Sequence, residues 1–268
     1  MPVFYPSQNF SPSSFSNATL ILPAVSLGNV PQLTCDLLIS SLGLQRVGFT
    51  GRGDTVAPFV GQGEHSELVT GGLEVYGQEG SELFVVQQRS PTLKDKKDEH
   101  VALVESFIDS YSFGFLLLLT SLDSAHQNDT QLLTPYQRIT PPSQSVSASP
   151  YLQRLQRIPP LSLAIDSSSH TLPSKDSHYP PFLPAAGLTR RLLSSWSRDE
   201  KSIPHGALSV WCVEGDNRGD AKGLTNVVLD ILGIANDVEL REPTSWKGLF
   251  GTTRGWSGGM GADSELYG

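Results

Sequence analysis

Ser121, Asp123, His126 and Asp129 put a hydroxyl, two carboxylates and an imidazole on one short stretch of the chain, the residue types from which a nucleophile, a base and an orienting acid are built. They follow the apolar run Phe115 to Thr120, at the carboxyl end of a predicted strand, where α/β proteins place ligands. A hydrolase needs its nucleophile held on its base by a third group, and proximity along one loop does not supply that. These four residues therefore read as polar groups that satisfy a loop. Gly51-Arg52-Gly53-Asp54 resembles part of a nucleotide loop, but it lacks the third glycine and opens no helix, which leaves a plain turn. Glu214 and Asp216 could face a metal, yet hard cations want more oxygen ligands than one turn offers, and helix capping by Asp216 or Asn217 accounts for them. Trp211 and Trp246 read as structural or interface anchors.

The segment Ala18 to Pro31 predicts a buried strand turning sharply into a helix, the place where an α/β enzyme keeps a phosphate loop or a nucleophile. No lysine, glycine cluster or nucleophilic elbow follows. The other end differs in kind: after a glycine-rich stretch come Leu266, Tyr267 and Gly268, a hydrophobic side chain, an aromatic ring and one last residue within a short reach. Such a segment can plug a pocket lined with apolar atoms and a cation. An enzyme-like frame without visible chemistry, carrying such a segment, suggests binding rather than transformation.

Composition narrows the partners. Nineteen basic and twenty-seven acidic side chains give a formal charge of -8, which repels nucleic acid and anionic membranes in the absence of a basic patch. Lys94, Lys96 and Lys97 form none, being interleaved with Asp95, Asp98 and Glu99. The longest apolar run, Phe113 to Leu119, is far short of the roughly 20 residues a spanning helix requires. Met1 to Phe10 carry neither the basic region nor the apolar core of a secretory signal, so cytoplasm and nucleus are the expected compartments. Cys35 and Cys212 sit in apolar segments and cannot alone build a structural zinc site; they read as buried, reduced core residues. No metal and no cofactor is expected.

These residues need a frame. After a polar Pro/Ser-rich leader, the pattern predicts a strand over Thr19 to Leu22 and a helix capped near Asn29, with Val30, Leu33, Leu37, Leu38 and Leu42 on one face. Short extended pieces follow at Gln45 to Thr50, Val56 to Val60, Glu67 to Tyr76 and Glu82 to Gln88, some pairing antiparallel. Val101, Val104, Phe107, Ile108 and Tyr111 line a second helix that should end at Gly114. Phe115 to Thr120 predicts a strand buried on both faces, which completes a βαβ unit. Thr134 to Pro181 is Ser/Pro-rich and aperiodic and reads as a mostly disordered insertion. Leu188, Leu192 and Leu193 mark a short helix and Ala207 to Val213 a buried strand. Leu224, Val227, Val228, Ile231 and Leu232 mark a helix closed by Gly233. The expected organisation is one α/β domain over 14–250, interrupted by the 134–181 insertion and followed by a flexible tail at 251–268.

Several blocks carry a family resemblance. Pro23-Ala24-Val25-Ser26-Leu27-Gly28-Asn29-Val30, then Gln32-Leu33 and Asp36-Leu37-Leu38-Ile39, resemble the N-terminal signature of the proteasome assembly chaperone 2 (PAC2) family. The likeness recurs in Pro58-Phe59-Val60-Gly61, Glu74-Val75-Tyr76, Gln88-Arg89-Ser90, Leu119-Thr120-Ser121 with Asn128-Asp129, Val213 to Asn217 with Asp220-Ala221 and Gly223-Leu224, Pro243-Thr244-Ser245-Trp246 and Leu249-Phe250-Gly251. It implies an α/β three-layer sandwich with a mixed, largely parallel central sheet, distantly like nucleoside phosphorylases but without their activity. It also implies a heterodimer with proteasome assembly chaperone 1, which escorts the α-subunits of the 20S proteasome into the α-ring. In such a family a hydrophobic-tyrosine-any terminus docks between adjacent α-subunits, and Leu266, Tyr267 and Gly268 match it. Two other classes stay open: an enzyme such as a nucleoside-processing or phosphate-ester hydrolase using a crevice near Gly28, Asn29 and Asp123, and a passive scaffold that binds only its partner chaperone.

Overall fold

A computed structural model of the chain describes residues 2–62, 69–142, 144, 149–161, 179–197 and 203–247. Ten strands are present among them: β1 (Phe4–Pro6), β2 (Thr19–Pro23), β3 (Gln45–Thr50), β4 (Val60–Gln62), β5 (Val69–Gly71), β6 (Leu73–Gly77), β7 (Leu83–Gln88), β8 (Phe115–Asp123), β9 (Tyr136–Ile139) and β10 (His205–Cys212). Six α-helices accompany them: α1 (Val30–Leu42), α2 (Lys97–Tyr111), α3 (Asp129–Leu132), α4 (Pro150–Leu155), α5 (Gly187–Trp196) and α6 (Arg218–Leu232). Eight strands form one sheet in the order β1-β3-β6-β7-β2-β8-β10-β9, and β4 pairs with β5 in a separate hairpin. The centre of the sheet, β7-β2-β8-β10, is parallel. Its flanks are antiparallel.

Side-chain alternation along β8 explains the three layers. Phe115, Leu117 and Leu119 point to one face, where they meet Leu37 and Leu38 of α1, Leu152 of α4 and Leu224 and Val228 of α6. Leu116, Leu118 and Leu122 point to the other, against Val104 and Phe107 of α2 and Leu192, Leu193 and Trp196 of α5. A strand covered on both faces has no polar alternation, which is why the run of leucines predicts a central position.

Local signals place the boundaries, with four differences from the sequence reading. Asn29 does occupy the position before α1, but its side chain makes no capping bond; it sits in the left-handed region (φ 53°) beside Gly28 (φ 64°), and the pair turns the chain out of β2. The second helix ends on Ser112 (φ 53°), not Gly114. Gly114 is required for a different reason, since a Cβ there would lie 2.5 Å from the Asn17 carbonyl oxygen. The polar leader is part of the core: β1 pairs with β3, and Phe4 and Phe15 are buried. Within 134–181, the expected disorder is corrected over its described parts. There β9 closes the edge of the sheet and α4 buries Leu152 and Leu155 completely, because two leucines at i, i+3 suffice to seat a short helix against α6. Residues 162–178 lie outside the described residues, as does all of the 251–268 tail.

His100 gives this fold an acid sensitivity. It is buried on α2 with Nδ1 3.0 Å from Thr55 Oγ1, and burial pushes the imidazole pKa down from 6.5 to about 4. Between these values the unfolded chain binds a proton that the folded one excludes. The contribution is complete above pH 6.5 and is lost progressively as the pH falls toward 4, by about 3 kcal/mol. In urea titrations at pH 7.5 and pH 4.5, His100→Gln should shrink the drop in stability seen between the two; an unaltered drop would assign the acid sensitivity elsewhere.

Candidate functional site

The carboxyl ends of β2, β8 and β10 bring Ser26, Gly28, Ser121, Cys212 and Asn217 together. Ser26 Oγ donates to the Ala24 carbonyl at 2.9 Å and accepts from the Ser121 backbone N–H at 3.0 Å. Ser121 Oγ lies 2.5 Å from the Leu27 carbonyl oxygen and 2.8 Å from Ser26 Oγ, and Cys212 Sγ reaches the same Leu27 carbonyl at 3.4 Å. Asn217 fills the remaining space above Gly28: a Cβ at Gly28 would meet Asn217 Nδ2 at 2.4 Å, while that nitrogen donates to the Val213 and Gly215 carbonyls at 3.0 Å. The edge is thus stitched shut by its own hydroxyls and amide.

No catalytic arrangement forms there among the described residues. Asp123 turns its carboxylate to the Ala125 N–H at 2.9 Å, capping the short turn after β8, and Asn128 with Gln131 closes a capping box at α3. His126 is exposed, and the Ser121 hydroxyl is hydrogen-bonded to Ser26 and the Leu27 carbonyl instead. The crevice expected near Gly28, Asn29 and Asp123 is corrected accordingly: Asn29 is exposed, Gly28 is covered, and Asp123 serves the backbone. The Cys212 thiol, pushed up to about 11 by burial, is not a nucleophile at neutral pH. Cys35 is buried and free, its pKa raised by burial and by neighbouring Asp36.

The other sequence candidates are structural. Gly51 and Gly53 have φ of 64° and 77° and make a turn. Asp216 pairs with Arg218, which together with a bond to the Arg218 N–H holds its carboxyl below the usual range. Trp211 is buried and donates Nε1 to Gln137 at 3.0 Å. No group of three or more potential metal ligands occurs among the described residues, and no described helix is long and apolar enough to cross a membrane.

A constellation that the sequence reading does not pick out joins β6, β7, α1 and the hairpin. Glu74, fully buried, accepts from Arg46 Nη1 (2.8 Å) and the Gly71 N–H (3.1 Å) on one oxygen, and from Thr70 Oγ1 (2.5 Å) and Tyr76 OH (2.9 Å) on the other. Arg89 donates to Thr70 Oγ1 and to Asp36 Oδ1, each at 3.0 Å, and its Nε lies 3.9 Å from Glu74. Asp36 also accepts from Gln87 Nε2 at 2.7 Å and from Trp246 Nε1 at 3.4 Å. Burial and the Glu74 carboxylate push Tyr76 up to about 12. Burial opposes the Arg89 charge, but Asp36, Tyr76 and Glu74 outweigh it and hold the guanidinium above its ordinary value. The legible signal was a glutamate inside the apolar strand Leu73–Gly77, which has to find cations once buried.

This network bolts down a surface. Thr70 faces inward to Glu74, so across the β4–β5 pair Val60, Val69 and Gly71 face the opposite way. Val60 is 80% exposed and Val69 60%. Leu132 and Leu133 form a second exposed apolar pair beyond β8. Leu266, Tyr267 and Gly268 lie outside the described residues.

Comparison with known proteins adds to this geometry. A family model described as the PAC2 family matches residues 20–260. The Danio rerio protein named Proteasome assembly chaperone 2 is 33% identical over 251 residues, covering 89% of this chain and 94% of its own. The Homo sapiens protein of the same name is 30% identical over 268 residues, covering 93% and 97%. Among solved structures, Pyrococcus furiosus PbaA, described as an archaeal homolog of proteasome-assembly chaperone, superposes with a TM-score of 0.59 at 14% identity, over 82% of this chain and 83% of that one. A Thermoplasma acidophilum protein described as of unknown function gives 0.59 at 12% identity, over 83% and 79%. At such identities these two structures speak for the fold alone.

Proposed function

From the premise that the chain belongs to the PAC2 family, we propose that it acts as a chaperone in assembly of the 20S proteasome, paired with proteasome assembly chaperone 1 and promoting α-ring formation in cytoplasm and nucleus. It is not an enzyme, because its relatives are assembly chaperones. The observation that carries the proposal is the identity of 30 to 33% to proteins of that name over nearly their whole length. The body supplies most of the affinity, and Leu266, Tyr267 and Gly268 dock between α-subunits. The carboxyl edge, closed by Ser26, Ser121 and Asn217, favours this reading over the enzyme one.

Energetics limits what the tail does alone. Burying one aromatic side chain contributes about 1.5 to 3 kcal/mol. Linked to a body that is already bound, the same contact acts through effective concentration. Deleting Leu266 to Gly268 should therefore weaken binding to α-subunits about tenfold or more while the heterodimer stays intact. Binding measured by interferometry on the purified heterodimer decides it: unchanged affinity discards tail docking, and loss of the heterodimer moves those residues to the partner interface.

A further inference from the structure

The β4–β5 hairpin poses a physical question, since two strands by themselves are marginal in water and two valines facing solvent add nothing to their stability. Here the hairpin is held from behind: Thr70 donates to Glu74, Arg46 Nη1 donates to the Val69 carbonyl at 2.6 Å, and Arg89 grips Thr70. A buried carboxylate with two arginines is an expensive way to hold a surface that does nothing. Beside the hairpin lies a cavity of about 620 Å³ walled by Phe49, Val56, Pro58, Phe59, Val60 and Leu73. Arg52 stands on its rim and enters none of the ion pairs of the described residues.

A chain of side-chain contacts leads from the last described residues to the wall of this cavity. Trp246 is buried and touches Asp36; Asp36 touches Arg89; Arg89 touches Thr70, next to Gly71 of the cavity wall. Three side-chain contacts thus connect Trp246, just before the described chain ends at Lys247, to the hairpin. Residues 248–268 carry Asp263, Glu265, Leu266 and Tyr267, and a stretch of roughly 20 residues can reach at most about 70 Å.

We infer that Leu266 and Tyr267 seat in this cavity of their own chain, against Phe59 and Val60, with Asp263 and Glu265 directed to Arg52. The match is one of chemistry and size: two apolar side chains with neighbouring carboxylates meet an apolar cavity with one unpaired guanidinium, within the range of about 300 to 1,000 Å³ that suits small ligands. Seated there, the tail is withheld from the α-subunits, and its apparent affinity for them is reduced by the fraction of time it is free. This inference rests on the proposed role of the tail in docking.

The test uses the full chain with a nitroxide on Ser264→Cys, which labels selectively because Cys35 and Cys212 are buried. Amide broadening should concentrate at Gly51, Gly53, Val60 and Gly71 and disappear in Val60→Asp and in Leu266→Ser. Val60 is largely exposed, so a charge there leaves the core intact. In unlabelled protein, Val60→Asp and Arg52→Gln should each raise affinity for α-subunits threefold or more. Broadening spread evenly over the body overturns the inference, and so does weaker binding to α-subunits or to the partner chaperone in Val60→Asp, which would give the hairpin to that protein. Evenly spread broadening with tail-dependent α-subunit binding leaves the proposed function standing. Local broadening in a chain that binds no α-subunit leaves the inference and removes that function.

Discussion

Glu74→Leu should destabilise the protein by about 3 to 5 kcal/mol, the cost of removing one partner from a buried charge cluster. Leucine puts an apolar side chain of comparable size at the site, so most of the loss is electrostatic. Arg46, its side chain only 19% exposed, keeps its charge but loses its carboxylate, Arg89 is left with Asp36 alone, and the Thr70 hydroxyl and the Gly71 N–H lose their acceptor. Urea unfolding measures the change. Amide exchange locates it: protection should fall first at Val69, Thr70 and Gly71, because the hairpin depends on this carboxylate while the parallel centre of the sheet does not. Combining Glu74→Leu with Arg46→Met should recover part of the loss, since Glu74 is the only carboxylate paired with Arg46 among the described residues, whereas Arg89 keeps Asp36. A single-mutant effect below about 1 kcal/mol would mean that water, not Glu74, satisfies the arginines.

Phe15→Ala should cost about as much, 3 to 5 kcal/mol, for a different reason. Phe15 has no exposed surface, and six rings surround it: Phe4, Phe10, Phe84, Phe107, Tyr111 and Phe113, with centroids 4.7 to 5.5 Å away. Most of these contacts are edge-on, the arrangement in which aromatic quadrupoles attract. Alanine would leave a cavity that rigid rings cannot collapse to fill. The change should also release β1 from β3, detectable as faster amide exchange at Ser7 and Gly51, whose N–H groups donate to Val47 and Val3. A near-neutral result would show that residues 4–15 do not fold onto the body.

Much of the frame was legible because its signals are local. Continuous apolar runs gave β8 and β10, and the spacing of Leu224, Val228 and Ile231 with Gly233 gave α6. The leader misled because Phe4, Phe10 and Phe15 are separated by Ser, Pro and Asn, a composition that reads as loop until the rings are seen to meet. The described parts of the 134–181 stretch misled for the same reason, since α4 is a single short helix seated by two leucines. At the site, loop chemistry drew attention to Ser121 and Asp123, whose hydroxyl and carboxylate serve the backbone. Asp36, Glu74, Arg89 and Trp246 come from four distant places in the chain, and no spacing rule relates them. The blocks that carried the family resemblance contain all four, and their convergence on one network gives those blocks a physical reason.

The proposed role stands or falls on whether this chain, immobilised together with proteasome assembly chaperone 1, retains free α-subunits of the 20S proteasome. If the chain acts as proposed, α-subunits are held in stoichiometric amounts and identified by mass. Retention of the partner chaperone with no α-subunit would contradict it and leave a scaffold that binds its companion alone.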